Sequence, residues 1–141
     1  MSVHELVEAL DLEPHPEGGW YRQTFRAEET VTTPRGERAA ATLIVFLLPA
    51  GESSAWHRVA SSEIWMWAGL REIALQYGGG GDAPVAGEVV VLGDAGAGKA
   101  TQAIIPASVW QRTLPAEHDA LAQCLVSPGF DFDDFELEPS P

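Results

Sequence analysis

The 141 residues contain a single cysteine, Cys124. One thiol cannot close an internal disulfide, so the fold must rest on packing, and nothing in the cysteine content points to an oxidising compartment. Cations are scarce too: eight Lys and Arg stand against 21 Asp and Glu, a formal charge of −13. A surface of that sign repels phosphate backbones and anionic lipid, so neither nucleic acid nor membrane surfaces are expected partners. No stretch approaches the roughly 20 apolar residues of a membrane span. The opening residues lack the basic start and apolar run of a secretion signal, and the expected location is cytoplasmic. What is present suffices for a core, with 45% hydrophobic residues and five tryptophans in a length suited to one domain over 1–141.

Val3, Leu6, Val7, Leu10 and Leu12 lie close to a helical stripe and predict a short helix over 1–11. Pro14, Pro16 and the Gly18-Gly19 pair then forbid helix. Alternating or continuous apolar patterns predict strands over 20–26, 40–48, 63–67, 71–77, 88–92, 100–105, 110–114 and 120–126. Glycine and proline punctuate them at 49–51, 78–81, 93–98 and 115. Short strands at intervals of roughly 8–12 residues with turns between them indicate a sandwich or barrel. The tail over 130–138 alternates Phe130, Phe132 and Phe135 with acids, as a last strand or an aromatic latch would. The Gly-Lys at 98–99 is similar to a phosphate loop, but Ala100 follows in place of a hydroxyl, and the next segment is strand-like. The stretch over 93–100 is therefore read as a hairpin loop.

Of four histidines, His4 and His118 read as surface groups, which leaves His15 and His57. Between Gly51 and Gly69 a strand carries His57 and Val59 on one face, a turn passes Ser61-Ser62, and a returning strand carries Glu63, Trp65 and Trp67. A tight turn puts His57 and Glu63 on the same side. An imidazole and a carboxylate together are the minimum for metal ligation or for a proton-transfer pair, and equally a hydrogen bond that clasps a hairpin.

Gly51, His57, Val59, Glu63 and Gly69 resemble the first motif of the cupin superfamily. The run Pro106-Ala107-Ser108-Val109-Trp110-Gln111 resembles the second, with Pro106 and Gln111 on its key positions. The run from Leu12 to Tyr21, with Trp56-His57-Arg58-Val59, Glu63-Ile64-Trp65 and Ser127-Pro128-Gly129-Phe130-Asp131-Phe132, narrows the likeness to the cupin-5 group, long catalogued as a domain of unknown function. That resemblance implies an all-β fold: a double-stranded β-helix, the RmlC-like jelly-roll barrel, over 12–137 behind the N-terminal helix. It also implies a ligand cavity at one open mouth, and a homodimer.

A typical metal-binding cupin supplies two histidines and a glutamate from the first motif and a third histidine from the second. Those positions here hold His57, Val59, Glu63 and Gln111, a degenerate metal site. Met66 also stands where relatives often carry histidine. The resemblance leaves three functions open. The first is an isomerase or epimerase on a small, sugar-like substrate, with His57 as general base or acid, Glu63 orienting it, and Tyr21, Arg58 and Gln111 holding substrate oxygens. The second is a metal-assisted enzyme with His57, Glu63 and Gln111 on zinc, nickel, iron or manganese, although a neutral carboxamide is a poor ligand for most of these. The third is a non-catalytic binding module whose tryptophans, Trp65 and Trp67 among them, stack on a ligand.

Overall fold

The computed structural model describes residues 1–139. Helix α1 (Val3–Ala9) starts at Ser2, whose hydroxyl accepts from the Glu5 N–H at 3.1 Å while the Glu5 carboxylate accepts from the Ser2 N–H at 2.9 Å. This reciprocal cap satisfies two amides that the first turn would leave orphaned. The apolar stripe packs Leu6 against Leu12 and Leu47, a small cluster apart from the main core. No helix among the described residues is long and apolar enough to cross a membrane.

The remainder is β-structure: β1 (Glu13–Pro14), β2 (Trp20–Arg26), β3 (Thr30–Thr33), β4 (Gly36–Ala39), β5 (Thr42–Leu48), β6 (His57–Val59), β7 (Ser62–Leu70), β8 (Ile73–Tyr77), β9 (Val89–Leu92), β10 (Gln102–Ile105), β11 (Gln111–Thr113), β12 (Ala120–Ser127) and β13 (Phe135–Leu137). Six strands pair in the order β1-β2-β5-β12-β7-β10, five in the order β13-β6-β11-β8-β9, and β3-β4 form a separate hairpin. The named pairings in both sheets are antiparallel. Two such sheets face to face form the predicted jelly-roll barrel.

Strand periodicity decides what enters the barrel. In β12, Ala120, Ala122, Cys124 and Val126 are buried and the intervening residues are not, the period of two that a half-covered strand requires. Phe46, Leu48, Trp65, Ile73, Leu75, Leu92 and Ile105 fill the core between the sheets. Toward the other end the inward residues turn polar, among them Gln23, Thr42, His57 and Glu63, and a cavity remains.

One expectation is corrected, and one element is new. The loop after β9 is a one-turn 3-10 helix (Ala95–Ala97), not the bend of a hairpin. Strand β9 pairs with β8 and β10 with β7, so this loop carries the chain from one sheet to the other. The β3-β4 hairpin was not foreseen, because two four-residue strands are too short to register a period. That hairpin has a clear task. Arg38 grips Asp134 with Nε at 2.8 Å and Nη2 at 3.0 Å, and Arg35 Nε adds a contact at 3.1 Å. This forked grip pins a second 3-10 turn (Phe132–Asp134), from which the tail runs on as β13 along β6. The tail is thus both a last strand and an aromatic latch.

Candidate functional site

The cavity measures about 210 Å³ and is lined from β1, β2, β5, β6, β7, β12, the loop after β1 and the aromatic tail. The loop is the decisive piece. A Cβ on Gly19, at φ +76°, would lie 2.7 Å from the Phe46 ring and 2.9 Å from the Leu47 carbonyl oxygen; one on Gly18, at φ +107°, would lie 2.7 Å from the Ser53 carbonyl oxygen. Only glycine fits so close a left-handed approach. The His15 N–H donates to the Gly19 carbonyl at 2.9 Å, and the Ala55 N–H donates to the Glu17 carbonyl at 2.7 Å. Held in this way, His15 and Glu17 turn inward and are buried.

Glu17 Oε2 lies 2.9 Å from His57 Nε2, while His57 Nδ1 lies 2.8 Å from the Ala55 carbonyl oxygen. Both ring nitrogens therefore face acceptors, an environment that holds two protons on the ring. Burial opposes that charge, but Glu17, with help from Glu63 and the Ala55 carbonyl, outweighs it and pushes the His57 pKa up to about 9. Burial likewise opposes the Glu17 carboxylate, and His57 and His15 hold it below its ordinary range. The two form a buried ion pair. Stability that depends on the His57 proton is complete below about pH 6.5 and lost as pH rises through about 9. Thermal melts should show a lower transition at pH 9 than at pH 6.5.

Glu63 sits in different company. Gln111 Nε2 donates to its Oε1 at 2.7 Å, and Trp65 Nε1 donates to Gln111 Oε1 at 2.8 Å. Burial first, and then the charge of Glu17, push the Glu63 pKa up to about 7 against the pull of His57 and Gln111. The thiol of Cys124 lines the same cavity beside this carboxyl, and burial and Glu63 push that thiol well above its usual value. His15 receives the Glu17 N–H at Nδ1 (3.1 Å), which leaves its ring proton on Nε2; burial keeps it below the ordinary histidine pKa. Its ring meets Tyr21 edge-on at 4.6 Å.

The predicted site residues divide. His57, Glu63 and Tyr21 line the cavity. Gln111 and Trp65 are buried behind Glu63 and support it. Trp67 lies off the cavity, its indole donating to the Arg71 carbonyl at 3.0 Å. Arg58 also lies off it: it pairs with Glu136 at 2.6 Å, donates to the Gly81 carbonyl at 2.9 Å and stacks on Trp110 at 4.4 Å. The alternation that turns His57 inward turns Arg58 outward. The carboxylate that engages His57 is Glu17 rather than Glu63. Sequence reasoning singled out His15 but assigned no role to Glu13 or Glu17, nor to Phe130, Phe132 and Phe135 as cavity wall. The available signal was two ionisable residues in a segment stiffened by two prolines and closed by two glycines.

A divalent metal on His57, Glu63 and Gln111 does not fit this arrangement. The Gln111 oxygen is committed to the Trp65 indole, its amide hydrogens face Glu63, and the fourth position is the aliphatic Val59. His57 Nε2, the nitrogen that would ligate, faces Glu17. Gln111→Leu keeps the volume but orphans the Trp65 N–H and a Glu63 oxygen. We expect a loss of about 1–3 kcal/mol for each buried group left unpaired, read from urea unfolding.

Comparison with known proteins agrees with this barrel. A protein from Shewanella oneidensis is 31% identical, superposes with a TM-score of 0.84, and is matched over 98% of this chain and 85% of its own. A hypothetical protein from Leishmania major is 28% identical over 98% and 88%, with a TM-score of 0.85. An oxalate decarboxylase from B. subtilis, 13% identical with a TM-score of 0.63 over 91% of this chain and 30% of its own, is similar in fold alone. No curated protein matches the chain. The profile of Cupin_5, described as cupin superfamily (DUF985), matches residues 4–138, and the chain belongs to that family.

Proposed function

We propose that this cupin is a proton-transfer enzyme of isomerase or epimerase type, acting on a small, polar, sugar-like molecule inside the barrel. The observation that carries the reading is a buried carboxyl group, Glu63, on the wall of the barrel cavity, held at one oxygen by Gln111. A carboxyl that titrates near neutrality exchanges protons most usefully at cellular pH. Ionised Glu63 takes the proton from a carbon beside the substrate carbonyl. The C–H electron pair moves into the C–C bond, and the carbonyl pair moves onto oxygen, stabilised by the His15 Nε2–H or the Tyr21 hydroxyl. In isomerisation, protonated Glu63 then returns the proton to the neighbouring carbon while that carbon's hydroxyl proton passes to the enolate oxygen and its O–H pair forms the new carbonyl. In epimerisation the proton returns to the opposite face of the first carbon after the intermediate turns over.

His57 is assigned a different role from that of base. With Glu17 it forms a fixed ion pair whose two opposed charges act on Glu63 in opposite directions, Glu17 raising and His57 lowering its proton affinity. The cavity is smaller than the roughly 300 Å³ at which drug-sized ligand sites begin, which suits a single small ring or open-chain sugar. The test is deuterium wash-in: a panel of aldoses and ketoses is incubated with the protein in D₂O and followed by proton NMR. Loss of one carbon-bound proton signal, faster than without protein, is expected for at least one sugar. Binding without exchange for every sugar that binds would instead support the non-catalytic module.

A further inference from the structure

We infer that the cavity is a charge filter that admits uncharged and cationic small molecules and excludes anions, so that the substrate enters without a phosphate or carboxylate group. This names the substrate class of the site proposed above and rests on that cavity being the substrate site.

The argument is the distribution of charge. None of the chain's eight Lys and Arg residues is among those that line the cavity. Arg35 and Arg38 are spent on Asp134, Arg58 on Glu136 and Lys99 on Glu72, while Arg112 lies over Trp56 and donates to Gln76. Arg22 sits between Tyr21 and Gln23 on β2, and those two face the cavity, so Arg22 faces away. Arg71 follows β7, where its carbonyl accepts from the Trp67 indole, and Arg26, opposite Thr42 on the cavity side of β2, is exposed and stands outside the lining. The lining holds three carboxyl groups, Glu13, Glu17 and Glu63.

Among the described residues, the cation inside is His57, and both its nitrogens are committed, to Glu17 and the Ala55 carbonyl. That pair is neutral as a unit and has no donor left for a phosphate. Glu13 is exposed and stands toward the mouth; Glu63 is buried deeper, beside Cys124. An entering anion meets the exposed carboxylate at the mouth and then the buried one, and at Glu63 burial leaves little water to screen the repulsion. Sites that bind phosphate or carboxylate supply a guanidinium, an ammonium or converging free N–H groups, and this lining presents no Arg or Lys. The carboxylates are instead acceptors for hydroxyl hydrogens, and the Phe130, Phe132 and Phe135 rings offer an apolar wall to the C–H face of a polyol.

The protein carries its own reporter, since Cys124 is the only cysteine and lines the cavity. Full-length protein is treated near pH 7 with three methanethiosulfonates: the neutral hydroxyethyl, cationic aminoethyl and anionic sulfonatoethyl reagents. Each rate is divided by that of the same reagent with the urea-unfolded protein, which removes intrinsic reactivity. The normalised rate for the sulfonate is expected to be at least tenfold below both others, and Glu13→Gln should narrow that gap at least threefold. A smaller gap, a gap that Glu13→Gln leaves unchanged, or a folded protein that no reagent labels would overturn the inference. Labelling reads entry and not turnover, so it fails independently of the wash-in experiment.

Discussion

Replacing Glu17 with alanine is expected to cost about 3–5 kcal/mol of folding stability, because it strips a buried charge of its partner. His57 is almost fully enclosed, 1% exposed, with Nε2 against Glu17 and Nδ1 against a carbonyl. Without the carboxylate its charge has no counterpart, and it escapes part of the cost only by giving up its proton. For a chain of this length the melting temperature should fall by on the order of 10 °C, measurable by calorimetry. Adding His57→Leu removes the stranded charge and should restore most of the loss, since an apolar pair of similar volume can replace a buried ion pair at little cost. If the second substitution simply adds its own penalty, the two residues are not acting as a unit.

The second large effect concerns chemistry rather than folding. Glu63→Gln should lower the deuterium wash-in rate by about 10²–10⁴-fold, the usual worth of a positioned acid–base group. The amide keeps the shape and can still accept from Gln111 Nε2, so stability should change by no more than about 1 kcal/mol. Wild-type wash-in should rise as pH increases through about 7, as Glu63 loses its proton. Burial pushes that value up first and Glu17 adds to it, while His57, Gln111 and the Cys124 thiol pull it down. Undiminished wash-in by Glu63→Gln would remove Glu63 from the mechanism, while lost stability alongside lost exchange would mark it as structural.

These two experiments pull apart residues that the sequence presents as one pair. His57 and Glu63 are close in the chain and share a strand parity, which makes each the obvious partner of the other. In the folded protein each has found a different neighbour. His57 is taken by a loop that comes from the start of the barrel, and Glu63 by Gln111, which reaches it from β11 and is itself oriented by Trp65. Arg58 illustrates the opposite case, for its outward position was legible from the alternation that turns His57 inward. Trp65 and Trp67 face the inside of the barrel by the same rule as Glu63, yet they belong to its packed end and not to its cavity.

The sequence by itself determined the class of fold, most of the strands and the inward direction of His57 and Glu63. These follow from a period of two that each strand carries locally, whatever surrounds it. The cupin strings added the barrel topology and the degenerate metal positions. Tertiary structure alone decided which carboxylate meets which imidazole, and so which group keeps its proton and which can exchange it. That choice depends on how tightly Gly18 and Gly19 let a distant loop settle against Ser53, Phe46 and Leu47. Contacts between segments far apart in sequence leave no periodic trace in the chain, and burial is what turns such a contact into a proton affinity.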